Sequence, residues 1–582
     1  MIGLFRQENL NERLYLLLVL FLLLFSTAIS LPTKEDVLKL LNNPFHQRLF
    51  QNTYESLLDR LHPDGYLPES LTGAYGGEFP RTLGPYVFLL LENGELEKAK
   101  RVLKYVLSAT SLAGMNRIPH VIGPSSRDYE PIPDKANPGQ ILHYIPLYRL
   151  DRPNYGGAQP FRAVSNKLWA VEVWLTKDGA EGELSLEVAH QLEGNPLVSV
   201  KLKSQEVKQG GWTRVVFPFP VSLKVGSEYF IRLGFEGKGT IIWWGLSDVL
   251  DNLFGGSYSY DKPPVGWQKH TDHITAFALD FGSLPHKSKD VIPIWDKADQ
   301  PDGHYHFVLA WARYIVVSGD KGFENETYDQ VAKLTDLACD MPYMNMGWGT
   351  TATYLVRNPC FEHSREVRFW DCYDLLTQVF TAEAWREMIP IARRRGDWEH
   401  YYRWKDALAR LEKGIREFLT KQLDGNTIYA EMRLPDGGAG KLNEGLSWVN
   451  LSPIASGWKG VDEEILKATI SAYRKRALFE WQGFKLLGAE WDPPDRIARA
   501  VIGKQWAWEF LYCVERGDWE RACELLNFLE KANTSYLFAE CFWVSEDGKM
   551  HLNDPGNGEQ ASWYLWAICR ARKILEGKEL PW

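Results

Sequence analysis

Three times in this chain a Gly-Asp pair separates two stretches of helical periodicity, at Gly319-Asp320, Gly396-Asp397 and Gly517-Asp518. A glycine can take the left-handed conformation that ends a helix, and an aspartate accepts the free N–H groups that open the next. Each pair therefore predicts a helix, a tight turn and a returning helix. Apolar residues recurring at i, i+3 and i+4 predict helices at 46–62, 81–92 and 95–111. After an interruption they predict further helices at 303–318, 324–341, 372–396, 398–420, a short one near 447–456, 462–476, 493–516, 518–533 and 559–577. Three helices before the interruption and nine after it make twelve, or six hairpins. Hairpins that each expose an apolar face must stack, and a closed ring stacks them with no free end. The expected fold is mainly α, an (α/α)6 toroid of six helical hairpins.

The interruption has a different texture. From about 155 to 283 apolar residues alternate with polar ones in short runs, as in Leu168 to Leu175, Leu184 to Val188, Tyr229 to Leu233 and Thr275 to Leu279, with glycine-rich turns between them. Short strands at that spacing predict an inserted antiparallel β-sandwich, jelly-roll-like in its strand lengths. The expected layout is 35–120 as the first part of the toroid, 155–283 as the insertion and 290–582 as the remaining, catalytic part. Trp243, Trp244, Tyr258, Tyr260 and Trp267 are either an aromatic platform on the sandwich or its filling; filling is the preferred reading.

The first thirty residues predict a secretory signal. Arg6 and Arg13 precede the apolar run Leu14 to Leu24, and the small residues Ala28 and Ser30 follow it. The alternative is an uncleaved anchor, which gives the chain a membrane association it otherwise lacks. Either way the body is expected outside the cytoplasm. Net charge is −9, and no run of lysine and arginine forms the basic stripe that nucleic acid requires, so that partner is excluded. All seven cysteines lie after residue 338 and none forms a CxxC pair, which leaves anything from no disulfide to three. No metal or organic cofactor is expected.

What the chain offers for chemistry is carboxylates and aromatic rings. There are 24 Trp, 26 Tyr and 27 Phe, and flat rings pack against the C–H faces of sugars as readily as they fill a helical core. Two acids stand beside such rings just ahead of helices: Asp371 in Phe369-Trp370-Asp371, and Glu540 in Glu540-Cys541-Phe542-Trp543. Both are expected in loops at helix N-terminal ends, which on a toroid surround the central cavity. Hydrolysis of a glycosidic bond uses two carboxyls, one protonated to release the leaving oxygen and one ionised.

These segments resemble those of the glucoamylase and trehalase-like six-hairpin glycosidases. Trp370-Asp371 is similar to their general-acid segment ahead of the sixth helix. Glu540 with Phe542, followed 23 residues later by Trp563 in Gly558-Glu559-Gln560-Ala561-Ser562-Trp563, is similar to their general-base segment. Tyr75-Gly76-Gly77-Glu78-Phe79-Pro80-Arg81 stands where they place a sugar-binding arginine, and Asp302-Gly303-His304 resembles the entry to their fourth helix. The trehalase-type Glu-Ser-Gly-Trp-Asp is absent; Glu362-His363-Ser364 is a loose echo. The resemblance implies an inverting glycosidase with a carbohydrate substrate, Asp371 as acid and Glu540 as base, separated by roughly 6.5–9.5 Å.

Each role has a rival. Asp374 can replace Asp371 or simply cap the helix that follows; Glu559 can replace Glu540, hold a substrate hydroxyl or favour a helix dipole. Arg81 is either a sugar ligand or half of an ion pair. Tyr75, Trp348, His363, Trp370, Trp448 and Trp506 are subsite candidates, each equally suited to packing. Rival functions are a toroid phosphorylase, a uronyl hydrolase, a polysaccharide lyase and a non-catalytic carbohydrate-binding protein.

Overall fold

The computed structural model describes residues 31–582 apart from 72–74, 76, 113–116, 123–144, 152–155, 164–165, 225–226, 247–255, 262–264, 281–301, 341–352, 364–367 and 435–440. The N-terminal segment read as a secretory signal and Trp348 lie outside the described residues. Among the described residues no helix is long and apolar enough to cross a membrane.

After a short leading helix, Lys34–Leu41, the helices are α1 (Pro44–Arg60), α2 (Pro80–Glu92), α3 (Leu96–Leu112), α4 (Asp302–Ser318), α5 (Lys321–Thr335), α6 (Leu375–Arg395), α7 (Trp398–Phe418), α8 (Ser452–Ser456), α9 (Glu463–Ala477), α10 (Gly503–Arg516), α11 (Trp519–Ala532) and α12 (Gly558–Glu576). The even-numbered helices form a closed inner ring: α2 packs on α4, α4 on α6, α6 on α8, α8 on α10, α10 on α12, and α12 back on α2. Outside them α1 packs on α12, α3 on α2 and α4, α5 on α4, α7 on α6 and α11 on α10. This is the six-hairpin toroid that the helical periodicity predicts.

The Gly-Asp turns behave as their chemistry requires. Gly319, Gly396 and Gly517 take φ of 63°, 74° and 70°. Asp320, Asp397 and Asp518 then cap α5, α7 and α11, accepting hydrogen bonds from the N–H groups of Phe323, His400 and Arg521. Such a turn reverses the chain in two residues, which holds an inner and an outer helix side by side.

Inner helices are apolar nearly all round, because one side meets the outer layer and the other meets the ring axis. Twelve of thirteen α2 residues and twelve of fourteen α10 residues are buried. At the axis each sector contributes a ring: Phe88 from α2, His306 from α4, Phe380 from α6, Trp448 just ahead of α8, Trp508 from α10 and Trp563 from α12. Trp563 is the hub, with ring centroids 6.2 Å from Phe88, 6.3 Å from His306, 6.3 Å from Phe380 and 5.2 Å from Trp508, while Trp448 meets Trp508 at 6.1 Å. The toroid therefore has no open channel at this level.

The insertion begins at Ile145 and ends at Asp280, as ten antiparallel strands around a core of its own that includes Leu168, Val171, Leu186, Ile231 and Trp243. Two long strands, Lys167–Ala189 and Glu228–Leu246, pair along most of their length and carry the others. Trp243 is fully buried there, so it fills the sandwich, and Trp244 is half-buried with its indole donating to Thr176.

Three expectations need correction. The helix expected at 493–516 starts only at Gly503; Arg496–Ile497 and Ala500–Ile502 are strands. Pro493 and Pro494 deny that stretch the N–H groups and backbone angles of a helix, and Val501 pairs opposite Phe542 instead. The helix expected from 372 starts at Leu375, after the strand Arg368–Asp374. The segments carrying Asp371 and Glu540 are strands, not loops: Asp371 lies in a hairpin with Asn358–His363, and Glu540 in Ala539–Val544. Of the cysteines, Cys339, Cys372, Cys513, Cys523, Cys541 and Cys569 are free thiols.

Replacing the hub ring tests how far the ring depends on it. Trp563→Ala leaves a large hole among five other rings, and is expected to destabilise the protein by about 3–5 kcal/mol. Guanidinium unfolding followed by circular dichroism reads this, and a loss below about 1 kcal/mol would contradict the role given to Trp563.

Candidate active site

The N-terminal turns of the inner helices lie against one another: Gly303 of α4 on Arg81 of α2, Gly558 of α12 on Thr82 of α2, Lys504 of α10 on Gln560 of α12 and on Trp448 ahead of α8, and His306 of α4 on Phe380 of α6, so the six run in one direction and open at one face of the ring. Free N–H groups and the positive ends of helix dipoles therefore converge on a single mouth. Three β-structured segments stand on its rim: the hairpin Asn358–His363/Arg368–Asp374 before α6, the turn carrying Trp448 before α8, and a three-stranded sheet of Ala500–Ile502, Ala539–Val544 and Met550–Pro555 that feeds α10 and α12.

Glu540 is held at both oxygens. The Tyr75 hydroxyl donates to Oε1 at 2.8 Å and the Asn553 amide donates to Oε2 at 2.7 Å. Asn553 is the cross-strand partner of Cys541, so the hairpin register itself delivers that amide. A carboxyl accepting from two neutral donors is fixed in orientation. Asp371, half-exposed, takes a bidentate ion pair from Arg357, Nε to Oδ1 at 2.7 Å and Nη2 to Oδ2 at 2.5 Å. It precedes α6, whereas Glu540 lies in the sheet that feeds α10 and α12; α6 and α12 are opposite members of the ring.

Asp374 is a cap. It is fully buried and accepts from the Thr377 N–H at 2.6 Å, the Thr377 hydroxyl at 2.7 Å and the Asn358 amide at 3.2 Å, which closes the first turn of α6. That is the geometry of a helix cap, the second of the two readings the sequence allows for Asp374. Trp506 is likewise a core residue: it has no exposed surface, donates to the Leu525 carbonyl at 3.1 Å and stacks on Phe510, so it is not a subsite. For His363 and Trp370 the strand is described and the side chains are not.

The floor of the mouth holds an ion cluster. Glu559, in the first turn of α12, meets Lys504 Nζ at 3.0 and 3.1 Å and Arg81 Nε at 3.3 Å, and accepts from the Gln560 amide at 3.2 Å. Lys504 also lies 4.1 Å above the Trp448 ring centroid, a cation–π contact. Trp448 thus supports Lys504 from beneath, being only 2% exposed. Burial opposes charge on Glu559, but the Arg81 and Lys504 cations hold its carboxyl below the usual range. Arg81 is thus half of an ion pair, one of the two readings the sequence allows.

Sequence reasoning passed over Lys504 and Glu69. Glu69 lies beneath Glu559: its carboxyl accepts from the Thr82 hydroxyl at 2.5 Å and from the Glu559 N–H at 3.0 Å, and its carbonyl accepts from the Gly558 N–H at 2.7 Å. It so ties α2 to α12. Burial pushes its carboxyl up to about 7, and the Glu559 carboxylate adds to the rise. Nothing in the local sequence marks it, because its partner is 490 residues away. Among the described residues no group of three or more His, Cys, Asp or Glu is arranged to hold a metal ion. His304 is structural: its Nδ1 accepts from the Ile118 N–H and its Nε2 lies 2.7 Å from the Leu334 carbonyl.

No protein-family model and no curated protein matches the chain. Similar solved structures include a wild-type glycosidase, at TM-score 0.43 and 11% identity over 92% of this chain and 98% of that one. Others are a GH78 family rhamnosidase of Bacillus sp. GL1, at 0.37 and 9% over 72% and 46%, and a bacterial glucoamylase complexed with acarbose, at 0.36 and 16% over 49% and 42%. The chain thus spans less than half of the rhamnosidase and of the glucoamylase. The six-hairpin fold rests on the closed ring of helices itself.

Two stability measurements follow from this geometry. Asp374→Ala strips a buried cap and strands Thr377 and Asn358, an expected loss of about 1–3 kcal/mol, whereas Asp371→Asn breaks a surface pair and is expected to change stability by less than about 1 kcal/mol. Equal losses in urea melts would contradict the capping role. For Glu69 the folded state binds its proton more tightly than the unfolded chain does, so its own contribution to stability is fully present below pH 4.5 and is lost as pH rises through about 7. Glu69→Gln removes this term, so its stability relative to wild type should improve by on the order of 3 kcal/mol between pH 4.5 and 8; parallel pH profiles for the two proteins would refute it.

Proposed function

We propose that the chain is a glycoside hydrolase that inverts configuration, with Glu540 as general base and Asp371 as general acid. The observation that carries this reading is the grip on Glu540. Tyr75 and Asn553 each donate to one of its oxygens, which suits a carboxylate that must stay ionised and aimed while it takes a proton from water. Asp371 ahead of α6 and Glu540 ahead of α12, opposite helices of the ring, support an arrangement in which acid and water approach opposite faces of one sugar ring. Donating a proton from Asp371 requires Arg357 to release one oxygen first, and a bound sugar entering between the two carboxyls supplies the contact that replaces it. Arg81, Lys504 and Glu559 on the floor offer donors and an acceptor for ring hydroxyls, and the aromatic plug beneath them ends the pocket.

The substrate in this reading is an oligo- or polysaccharide, and no metal or organic cofactor enters the reaction. The signal-like residues 1–30 support action outside the cytoplasm. The Arg357 pair favours one rival, a sugar-binding toroid in which Asp371 stays locked and no bond is cut.

The deciding experiment is a screen of natural and chromogenic glycosides, with the first-released anomer followed by NMR. The expected result is a product of inverted configuration, with turnover lowered at least about a thousandfold in Asp371→Asn and in Glu540→Gln while sugar binding remains. Tyr75→Phe is expected to lower kcat about tenfold with KM little changed. Retained configuration, or near-normal turnover in either carboxyl variant, would sink the assignment, and binding without release of reducing ends would favour the rival.

A further inference from the structure

The aromatic plug has a second side. Along the inner helices, two turns beyond His306 stands Arg313, two turns beyond Phe380 stands Glu387, and one and two turns beyond Trp563 stand Trp566 and Arg570. These residues, with Lys459 and Trp582, line a cavity of about 440 Å³ at the end of the ring away from the mouth. That volume lies in the range of small-molecule sites, roughly 300–1,000 Å³.

Arg313 is unusual within it. The residue is 2% exposed, and its guanidinium lies 4.5 Å from the Phe88 ring centroid and 5.3 Å from that of Trp582. Nη2 donates to the Ser456 carbonyl at 2.6 Å, which caps the end of α8. Nε and Nη1 are buried and have no hydrogen-bond acceptor among the described residues. The Glu387 and Glu383 carboxylates favour the charge of Arg313 without hydrogen-bonding to it, while the other cations of the cavity make close ion pairs: Lys459 meets Glu387 at 3.5 Å, Arg570 meets Glu92 at 3.1 Å, and Arg516 pairs with Glu463. Buried guanidinium N–H groups are costly to leave without acceptors, and the acceptor that satisfies them best is an oxyanion. Trp566 and Trp582 beside it offer flat faces to a ring-sized body.

We propose that this cavity is a second binding site, separate from the mouth, for a small organic oxyanion: a carboxylate or phosphate carried on a ring-sized molecule, its oxygens accepting from Arg313. The site is independent of the hydrolytic reading and stands or falls without it.

Isothermal titration of the full chain with inorganic phosphate, glucuronate and glucose tests the site. Phosphate and glucuronate are expected to bind saturably and glucuronate more tightly, with glucose giving no heat that depends on Arg313. Arg313→Gln should weaken glucuronate binding at least tenfold, and Arg81→Gln, which alters the mouth, should leave it unchanged. Glu387→Gln removes an acid of the same cavity and should tighten binding several-fold, which keeps the test open should Arg313→Gln fail to fold. Three results would overturn the proposal: no saturable binding of either oxyanion beyond a sodium chloride control, binding that survives Arg313→Gln, or unchanged affinity in Glu387→Gln. Loss of binding in Arg81→Gln would place the oxyanion in the mouth and overturn it as well.

Discussion

Trp563 touches ring side chains from four of the other inner-ring sectors or their neighbours, and through Trp508 it reaches the fifth. A ring of six helices encloses more space at its axis than aliphatic side chains fill, and an empty axis would leave buried faces without contacts. Large aromatic rings solve both problems, since each spans part of the gap and packs edge to face on the next. Everything functional follows from that filling. Because the axis is blocked, the mouth is a dead-ended bowl and not a channel, and polar groups on its floor stand on an apolar base.

That base makes the floor electrostatically demanding. Glu69, Glu559, Lys504 and Arg81 are all buried or nearly so, where unpaired charge is unfavourable. The cluster resolves this by giving Glu559 two cations and leaving Glu69 with neutral donors, so one carboxyl stays charged while its neighbour holds a proton more readily. The first turns of α2, α10 and α12 carry Arg81, Lys504 and Glu559, and Glu69 in the loop ahead of α2 accepts from the first N–H groups of α12, so the helical ring and the ion cluster cannot be separated: moving one helix breaks both.

How much of this was legible in the sequence depended on the range of the interaction. The Gly-Asp turns act within four residues, and the helix boundaries expected beside Gly396-Asp397 and Gly517-Asp518 lie within one residue of those observed. The inserted β-region was legible because alternation is also local. The stretch 493–516 was misjudged because Ile497, Val501 and Ile502 fit a helical stripe as well as a strand, and what decides is pairing with Phe542, a partner 41 residues on. In the site, Tyr75 and Glu540 could each be suspected from short motifs, but their hydrogen bond spans 465 residues. Arg357, Lys504 and Glu69 carried no local mark at all. Asp371 and Asp374 show the limit most sharply: three residues apart in one strand, one turns toward a guanidinium in solvent and the other into the end of α6, and only the register opposite Asn358 and Met432 separates them.

The common direction of the inner helices gives the ring two chemically different ends. At the N-terminal end, free N–H groups and positive dipole ends favour carboxylates, and there stand Asp374, Glu559 and Glu540. At the other end carbonyls converge, and there stand Arg313 on Ser456 and the cations Arg393, Arg394, Arg395 and Arg516 in the last turns of α6 and α10. In the proposed reading the general base therefore stands at the end where helix termini favour its charge, since a general base must remain ionised. The plug at the axis keeps these two fields apart: a ligand at the mouth senses the helix N-termini, and a ligand beneath the plug senses Arg313.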